Sequence, residues 1–430
     1  MSKGVKKLLI TTFAASISLN VLAAGFEAGD VEPTPKGPST YPEGVPPEWM
    51  PWKDPENNSV INVNMDGTED VFVLRRDTSK DPKREPGLIN PQRYVAALNG
   101  KSAFPTFFGA PMAFNTEDLK AGKPDVAAFG LTMDDNFIGG GSYAANKMRS
   151  LIDYTTVGSA TDQMNGIAYF PLISVADYGN VNAHYGHSEK SLEEIHVVAS
   201  EVLDADVMPL AIGGSHIQMY GMLTALVKKY GKGNVALVHF DAHYDALTAG
   251  MGRYVHNGSM IARAVDYGLI KGEDVIQIGL RSFGPSKGDL QYMKDNNFKF
   301  HFQAEVDQKG WENVIKRVLE ETKGKKVFLS FDLDVVDASA APAVGTQEPG
   351  GLTSQEAMHM VRVLGAGTEL VGAEFNEYNP LLDDAHQTSG ILLDRIMRSL
   401  FAGMAAKKKG IKDPMYLDPQ RQDHAYNPQK

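Results

Sequence analysis

The sequence predicts an α/β fold, three layers (α/β/α) around a mostly parallel sheet, and three observations carry that prediction. Short apolar runs alternate with amphipathic segments from about residue 101 onward. The apolar runs are nearly continuous, as strands covered on both faces require. Clusters of Asp and His follow the ends of three of these runs, where open parallel sheets collect their ligands.

The strand candidates, in order, are PDVAAFGL, IAYFPLISVADYG, VMPLAIGG, NVALVHFDAH, DVIQIGLRS, KKVFLSFDLD and ELVGAEFNEY. Between them SLEEIHVVASEVLDA, IQMYGMLTALVKKYG, GWENVIKRVLEETKG and TSQEAMHMVRVLG have the apolar spacing of helices. The last opens with Thr353 and Glu356, the pattern of a capping box in which each residue serves the other's backbone N–H. Strands alternating with helices build a parallel sheet covered on both sides.

The flanks read differently. Residues 1–23 carry Lys3, Lys6 and Lys7, then a mostly apolar run from Leu8 to Leu22 and a small residue at Ala23. That is the pattern of a cleaved secretory signal, too short for a comfortable membrane span. The expectation is an exported protein, periplasmic or secreted, with no membrane attachment after cleavage. Residues 24–100 are rich in Pro and Gly and form an expected surface arm, with a hairpin signal at Asp66-Gly67. Residues 101–405 form the expected catalytic domain and 406–430 a polar tail. The chain has no Cys, which excludes thiolate metal sites and cysteine nucleophiles. Its net charge is −11, and removal of the three leader lysines takes it to −14, so no basic footprint for nucleic acid is present.

Three strand ends hold the chemistry. LAIGGSH ends in His216, HFDAHYD brings Asp241, His243 and Asp245, and SFDLD brings Asp332 and Asp334. On a strand, positions i, i+2 and i+4 share a face, so the three residues of DAHYD are expected to converge. Burying such charges without compensation costs several kcal/mol, on the order of the penalty for any isolated buried ion. Four carboxylates and two imidazoles suit Mn²⁺, Fe²⁺, Co²⁺ or Ni²⁺. Six donors exceed what one ion needs beside a water, so two metals sharing carboxylates are expected. His239, two residues before Asp241 on the same face, reads as a support for the ligands or as packing rather than as a ligand, and His184 and His187 read as exposed turn residues rather than a substrate gate.

These blocks resemble the ureohydrolases, the arginase and agmatinase family. GGSH (213–216), DAHYD (241–245) and SFDLDVVDASAAPAVGTQEPGG (330–351) stand in that family's order, and the likeness runs through roughly residues 101–403. Ser215 stands where the family carries Asp, and HNG (256–258) where it carries His-Gly. The resemblance implies an arginase-like fold and two Mn²⁺ per subunit, with Ni²⁺ or Co²⁺ as substitutes. It assigns one ion to His216, Asp241, Asp245 and Asp332, and the other to His243, Asp241, Asp332 and Asp334. It further implies that Glu377 orients a guanidinium, that Thr346 lies near it, and that His256 carries a proton to the leaving amine. Glu348-Pro349 points to agmatinase-like members, and family members assemble as trimers or hexamers.

The reading is therefore a dinuclear-metal hydrolase that cleaves a small guanidino compound, agmatine first, to urea and an amine. 4-Guanidinobutyrate, guanidine and arginine are the rival substrates, and formimino-group hydrolysis is a rival reaction on the same fold. A non-catalytic guanidino- or metal-binding protein is the alternative from another class.

Overall fold

The computed structural model describes residues 83–91, 105–134, 138–151, 161–181, 183–184, 188–247 and 255–426. The expected leader, most of the expected arm with its hairpin signal at Asp66-Gly67, and His187 lie outside the described residues.

The first helix, α1 (Thr116–Gly122), starts where the Asn115 side chain accepts the Asp118 N–H. Strand β1 (Val126–Gly130), helix α2 (Ala144–Ser150) and strand β2 (Val175–Asn180) follow. Helix α3 (Ser188–Asp204), strand β3 (Met208–Ile212), helix α4 (Met219–Tyr230) and strand β4 (Val235–Phe240) make the next units. Then come α5 (Met260–Asp266), β5 (Val275–Leu280), α6 (Lys287–Asp295), β6 (Lys299–Phe302), α7 (Gln303–Lys309), α8 (Trp311–Glu321) and β7 (Lys326–Asp332). Helix α9 (Ser354–Gly367), strand β8 (Glu369–Asn376), helix α10 (Thr388–Lys408) and the short α11 (Pro419–Gln422) complete the described chain. The Thr353/Glu356 capping box at the start of α9 is formed in both directions.

The eight strands form one sheet in the order β2-β1-β3-β8-β7-β4-β5-β6. Every pairing in it is parallel. The central strands are buried along almost their whole length, which explains why they read as unbroken apolar runs. No helix among the described residues is long and apolar enough to cross a membrane.

Two strand expectations change. IAYFPLISVADYG contributes a strand only from Val175, because its first half runs through turns around Pro171. Proline has no N–H for a ladder, so that half cannot continue the pairing. The edge strand β6 was not expected; its four residues, KFHF, are too few and too polar to stand out.

Register across the centre of the sheet lines up two rows of side chains. Phe240, Phe331 and Phe375 are direct neighbours on β4, β7 and β8, with ring centroids 5.4 and 5.5 Å apart. One residue earlier, Gln277, His239, Ser330 and Glu374 stand in register across β5, β4, β7 and β8. Successive side chains point to opposite faces. The sheet thus carries an apolar aromatic row on one face and a fully buried polar row on the other, both just short of the strand ends.

Candidate metal centre

The first group is placed by the turn after β3. Gly213 and Gly214 have φ of 91° and 74°, which a side chain would oppose, and a Cβ on Gly213 would sit 2.9 Å from the Ala145 nitrogen. This tight turn puts His216 at the start of the 3-10 turn His216–Gln218 that leads into α4. The His216 backbone N–H donates to Glu377 Oε1 at 2.7 Å, tying the turn to the end of β8.

Strand β4 ends at Phe240, so Asp241, His243 and Asp245 are not one strand face as their spacing suggested. They converge through a loop instead. The His243 N–H donates to Asp241 Oδ1 at 2.6 Å, and Asp245 adopts a left-handed backbone with φ of 44°. Asp332 closes β7, while Asp334 lies in the 3-10 turn Leu333–Val335 and donates its N–H to Asp332 Oδ1 at 2.8 Å.

The side chains form two groups that share Asp241. His216 Nδ1 lies 3.0 Å from Asp241 Oδ2, 3.0 Å from Asp332 Oδ2 and 3.5 Å from Asp245 Oδ2. His243 Nδ1 lies 3.0 Å from Asp334 Oδ2 and 3.3 Å from Asp241 Oδ1. All six expected donors are therefore at one place, at the ends of β3, β4 and β7. Apart from the half-buried His243, they are almost inaccessible to solvent.

Electrostatics here is strained. Burial pushes the Asp245 carboxyl well above the usual range, and the charge of Asp241 adds to it. Burial does the same to Asp332, reinforced by Asp334 and Asp241. For His216, burial opposes the charged form, but contacts with Asp241 and Asp332 outweigh it and raise the imidazole well above its ordinary value. Asp241 goes the other way: burial is overcome by the close imidazoles of His216, His239 and His243. Acids crowded until they favour protonation, around an imidazole that favours a positive charge, make a site short of positive charge. His216 Nδ1 and Asp241 Oδ2 are also buried without a well-aligned hydrogen bond. Oxygen-rich donors with two imidazoles and unmatched buried atoms fit a pair of hard or borderline divalent cations.

Behind the donors sits the buried polar row. His216 Nε2 is 2.7 Å from Ser330 Oγ, which donates to Glu374 Oε1 at 2.8 Å. This leaves Nδ1 to face the carboxylates. His239, read from sequence as a support for the ligands or as packing, takes the first role: it stacks on His216 with centroids 4.8 Å apart and places Nε2 3.2 Å from Asp241 Oδ2. Gln277 reaches its other nitrogen at 3.3 Å. Partners of this kind orient ligands and tune their basicity.

The remaining sequence candidates line the same end of the sheet. Glu377 is buried, has a left-handed backbone with φ of 64°, and burial raises its carboxyl to about 7. Thr346 Oγ1 donates to Asp334 Oδ2 at 3.1 Å, and Glu348 Oε1 lies 3.6 Å from His243 Nε2. His256 is buried at the start of the 3-10 turn Asn257–Ser259, where its N–H donates to Ser259 Oγ at 3.2 Å. His184 is not an exposed turn residue: its side chain is buried, with Nε2 3.8 Å from Glu194.

Arg281, which the sequence did not single out, staples this rim together. Its guanidinium donates to the carbonyls of Asp334 and Glu348 at 2.7 Å each, and to those of Val335 and Pro349 at 3.1 Å. A Cβ on Gly351 would come within 2.5 Å of Arg281 Nη2 and of the Val335 carbonyl, so only glycine fits against the staple. An arginine with no acidic neighbour in sequence gives no signal of such a role; only the close approach of two distant loops reveals it.

Comparison with known proteins agrees with this geometry. The Arginase family's sequence profile matches residues 124–403. A guanidinobutyrase of Pseudomonas aeruginosa is 35% identical over 227 residues, 52% of this chain and 69% of its own length. An agmatinase of Bacillus cereus is 31% identical over 231 residues, 53% of this chain and 74% of its own. Among solved structures, a hypothetical agmatinase from Burkholderia thailandensis superposes with a TM-score of 0.65 at 26% identity, over 75% of this chain and 98% of that one. Proclavaminate amidino hydrolase from Streptomyces clavuligerus gives 0.64 at 27% identity, over 71% and 98%. With the strand order, the converging donors and a matched span of more than half its length, the chain belongs to the Arginase family, the ureohydrolases that act on carbon–nitrogen bonds of amidines.

Proposed function

We propose that this protein is a dinuclear-metal hydrolase that releases urea and an amine from a small linear guanidino compound, with agmatine as the leading substrate. The observation that carries the reading is the pair of donor groups around His216 and His243, which share Asp241 and sit beside an anchored glutamate. His216, Asp241, Asp245 and Asp332 would hold one ion, and His243, Asp241, Asp332 and Asp334 the other, with Mn²⁺ as first choice. When bound, such a pair supplies a water-derived nucleophile at neutral pH and stabilises charge developing on the substrate.

The chain's own residues do the rest. Glu377 has Oε1 held by the His216 N–H, which fixes the plane of a carboxylate that would accept N–H bonds from a guanidinium. That contact orients the planar carbon toward the donors. Thr346, held against Asp334, would border the same nitrogen groups. His256 would deliver the proton that the departing amine requires. Glu348 places negative charge at the rim beside His243, which favours a substrate with a cationic tail.

The relative named guanidinobutyrase supports a second reading, 4-guanidinobutyrate. Urea release by the Mn²⁺-loaded protein, measured across agmatine, 4-guanidinobutyrate, guanidine and arginine, decides between them. The highest kcat/KM on agmatine supports the proposal, whereas preference for guanidinobutyrate overturns the substrate and keeps the reaction. Formamide released from a formimino compound, with no urea from any guanidine, overturns the reaction itself. Export and assembly into trimers or hexamers belong to the same proposal. Amino-terminal sequencing of the mature protein and light scattering read them directly.

A further inference from the structure

Two places where the sequence departs from the family pattern, Ser215 and the residue after His256, meet in space. Asn257 Oδ1 accepts the Ser215 hydroxyl at 2.8 Å and the Ile217 N–H at 2.8 Å. One amide oxygen therefore grips the residues immediately before and after His216. The His216 N–H between them is held from the other side by Glu377. Two consecutive backbone donors at the start of the 3-10 turn are thus assigned to two different elements, Asn257 and the end of β8. Asn257 is itself the residue next to His256, whose backbone fixes the turn Asn257–Ser259 through Ser259.

We infer that Asn257 is a positioning residue that locks the His216 turn to the His256 turn through its single amide oxygen. The inference rests on the metal-site reading above. Because Oδ1 serves both Ser215 and Ile217, the two bonds form or fail together. Losing them frees the Ile217 N–H and the Ser215 hydroxyl on either side of His216 and removes a tie between this turn and the segment that carries His256, while Met133 and Gln218 still hold the Ser215 backbone. A serine suits the grip because its hydroxyl donates to an oxygen. An aspartate at 215 would set a carboxylate against Oδ1, two acceptors with no proton between them. The pairing of Ser215 with Asn257 is then one device rather than two independent replacements.

The test uses Asn257→Leu, Asn257→Asp, Ser215→Ala, Ser215→Asp and the double variant Ser215→Ala/Asn257→Leu, each checked for folding by circular dichroism. Mn²⁺ binding is read by competitive chelator titration, and kcat and KM separately. Asn257→Leu is expected to weaken Mn²⁺ binding at one of two sites by about 10–100-fold, the usual loss when a ligand's supporting contact is removed. Its kcat should fall more than its KM changes. Asn257→Asp, which keeps an acceptor oxygen, should recover most of both, and the double variant should be no worse than Asn257→Leu alone. Ser215→Asp, although it restores the family's usual residue, should weaken binding more than Ser215→Ala. Wild-type Mn²⁺ binding and kcat in Asn257→Leu would overturn the inference, as would additive losses in the double variant. If Asn257→Leu does not fold, the comparison of Ser215→Ala with Ser215→Asp decides alone, and equal or reversed effects overturn it. The Mn²⁺ titration reads the lock even in a protein that releases no urea, so failure of the functional reading is seen separately.

Discussion

The two ends of the sheet solve the problem of charge in opposite ways. At the amino-terminal ends of the strands, acids and bases are matched: Asp125 meets Lys408 at 2.6 Å, Asp274 meets Lys325 at 2.8 Å, and Glu369 meets Lys326. Although burial works against the charged form of Asp125, Lys408 and Ser174 hold its carboxyl below the usual range. At the carboxyl-terminal ends, four aspartates crowd two histidines, two acids are driven upward, and both Asp245 and Glu377 adopt left-handed backbone. Left-handed non-glycine residues also stand before β1, β3 and β6, at Lys123, Asp206 and Asn297, so charge, not backbone strain, separates the two ends. One end is balanced by the chain's own charges, while the other carries a donor set that fits added cations.

The largest effect that could break this contrast comes from the bridging acid. Asp241→Asn is expected to abolish both Mn²⁺ binding and hydrolysis, seen as loss of both ions by elemental analysis and of urea release. Two retained ions with full rate would mean that the donor map is wrong. Asp332→Asn sharpens the contrast. It should lower kcat by roughly 10²–10³ or more, as loss of one electrostatic contributor does. In chelator it should raise the stability of the metal-free protein by about 1 kcal/mol, because a neutral amide replaces an acid that burial, Asp334 and Asp241 all drive toward protonation. Denaturant melts with and without Mn²⁺ would show the two signs.

Arg281→Met is a step smaller. It leaves the carbonyls of Asp334 and Glu348 without their donor, with an expected cost of about 1–3 kcal/mol in stability and weaker Mn²⁺ binding. At the opposite end, Asp125→Asn should cost less than about 1 kcal/mol, as for any partly exposed pair, and leave Mn²⁺ affinity and kcat unchanged. Acidity gives the gentlest test. Burial raises Glu374 and Glu377 to about 7, so in the metal-free protein each adds stability that is full below the unfolded value near 4 and lost as pH rises through about 7. Asp337, by contrast, is held down to about 2 by Ser339 and by the Gly350 and Gly351 N–H groups. Its contribution is present above about 4 and lost toward 2. Metal-free melting temperatures should therefore decline as pH rises from about 4 to about 7 and level off above it, and saturating Mn²⁺ should flatten the decline.

Much of this was legible from residues alone. The six donors follow apolar runs, and so many charges placed there marked the strand ends as a candidate cation site. Continuous strands with intervening amphipathic helices give the layered parallel sheet for the same reason, burial on both faces. What escaped depended on register and on loop geometry. The row Gln277–His239–Ser330–Glu374 exists only because β5, β4, β7 and β8 align those positions, and no single strand announces its neighbour's phase. The choice between support and packing for His239 stayed open because its stacking partner, His216, is on another strand's end. Arg281 and Asn257 act on backbone atoms of distant loops, which leave no trace in composition. The convergence of Asp241, His243 and Asp245 was anticipated for the wrong reason: their alternation suggested a strand, whereas a turn brings them together.

The position of β8 has a consequence for how the chain acquires its shape. It is the last strand in sequence, yet it lies between β3 and β7 at the middle of the sheet. Until Glu369–Asn376 has been made, the earlier strands can pair only as two separate ribbons, β2-β1-β3 and β7-β4-β5-β6, each with an open inner edge. His216 belongs to one ribbon, and the other donors, at the ends of β4 and β7, belong to the second. Exposed edges of that kind are prone to pair with the wrong partner, and closures between distant segments are slow. A chain cut just before β8 should therefore aggregate rather than form a smaller stable core, and the keystone strand decides at one stroke both when the sheet closes and when its candidate cation site first exists.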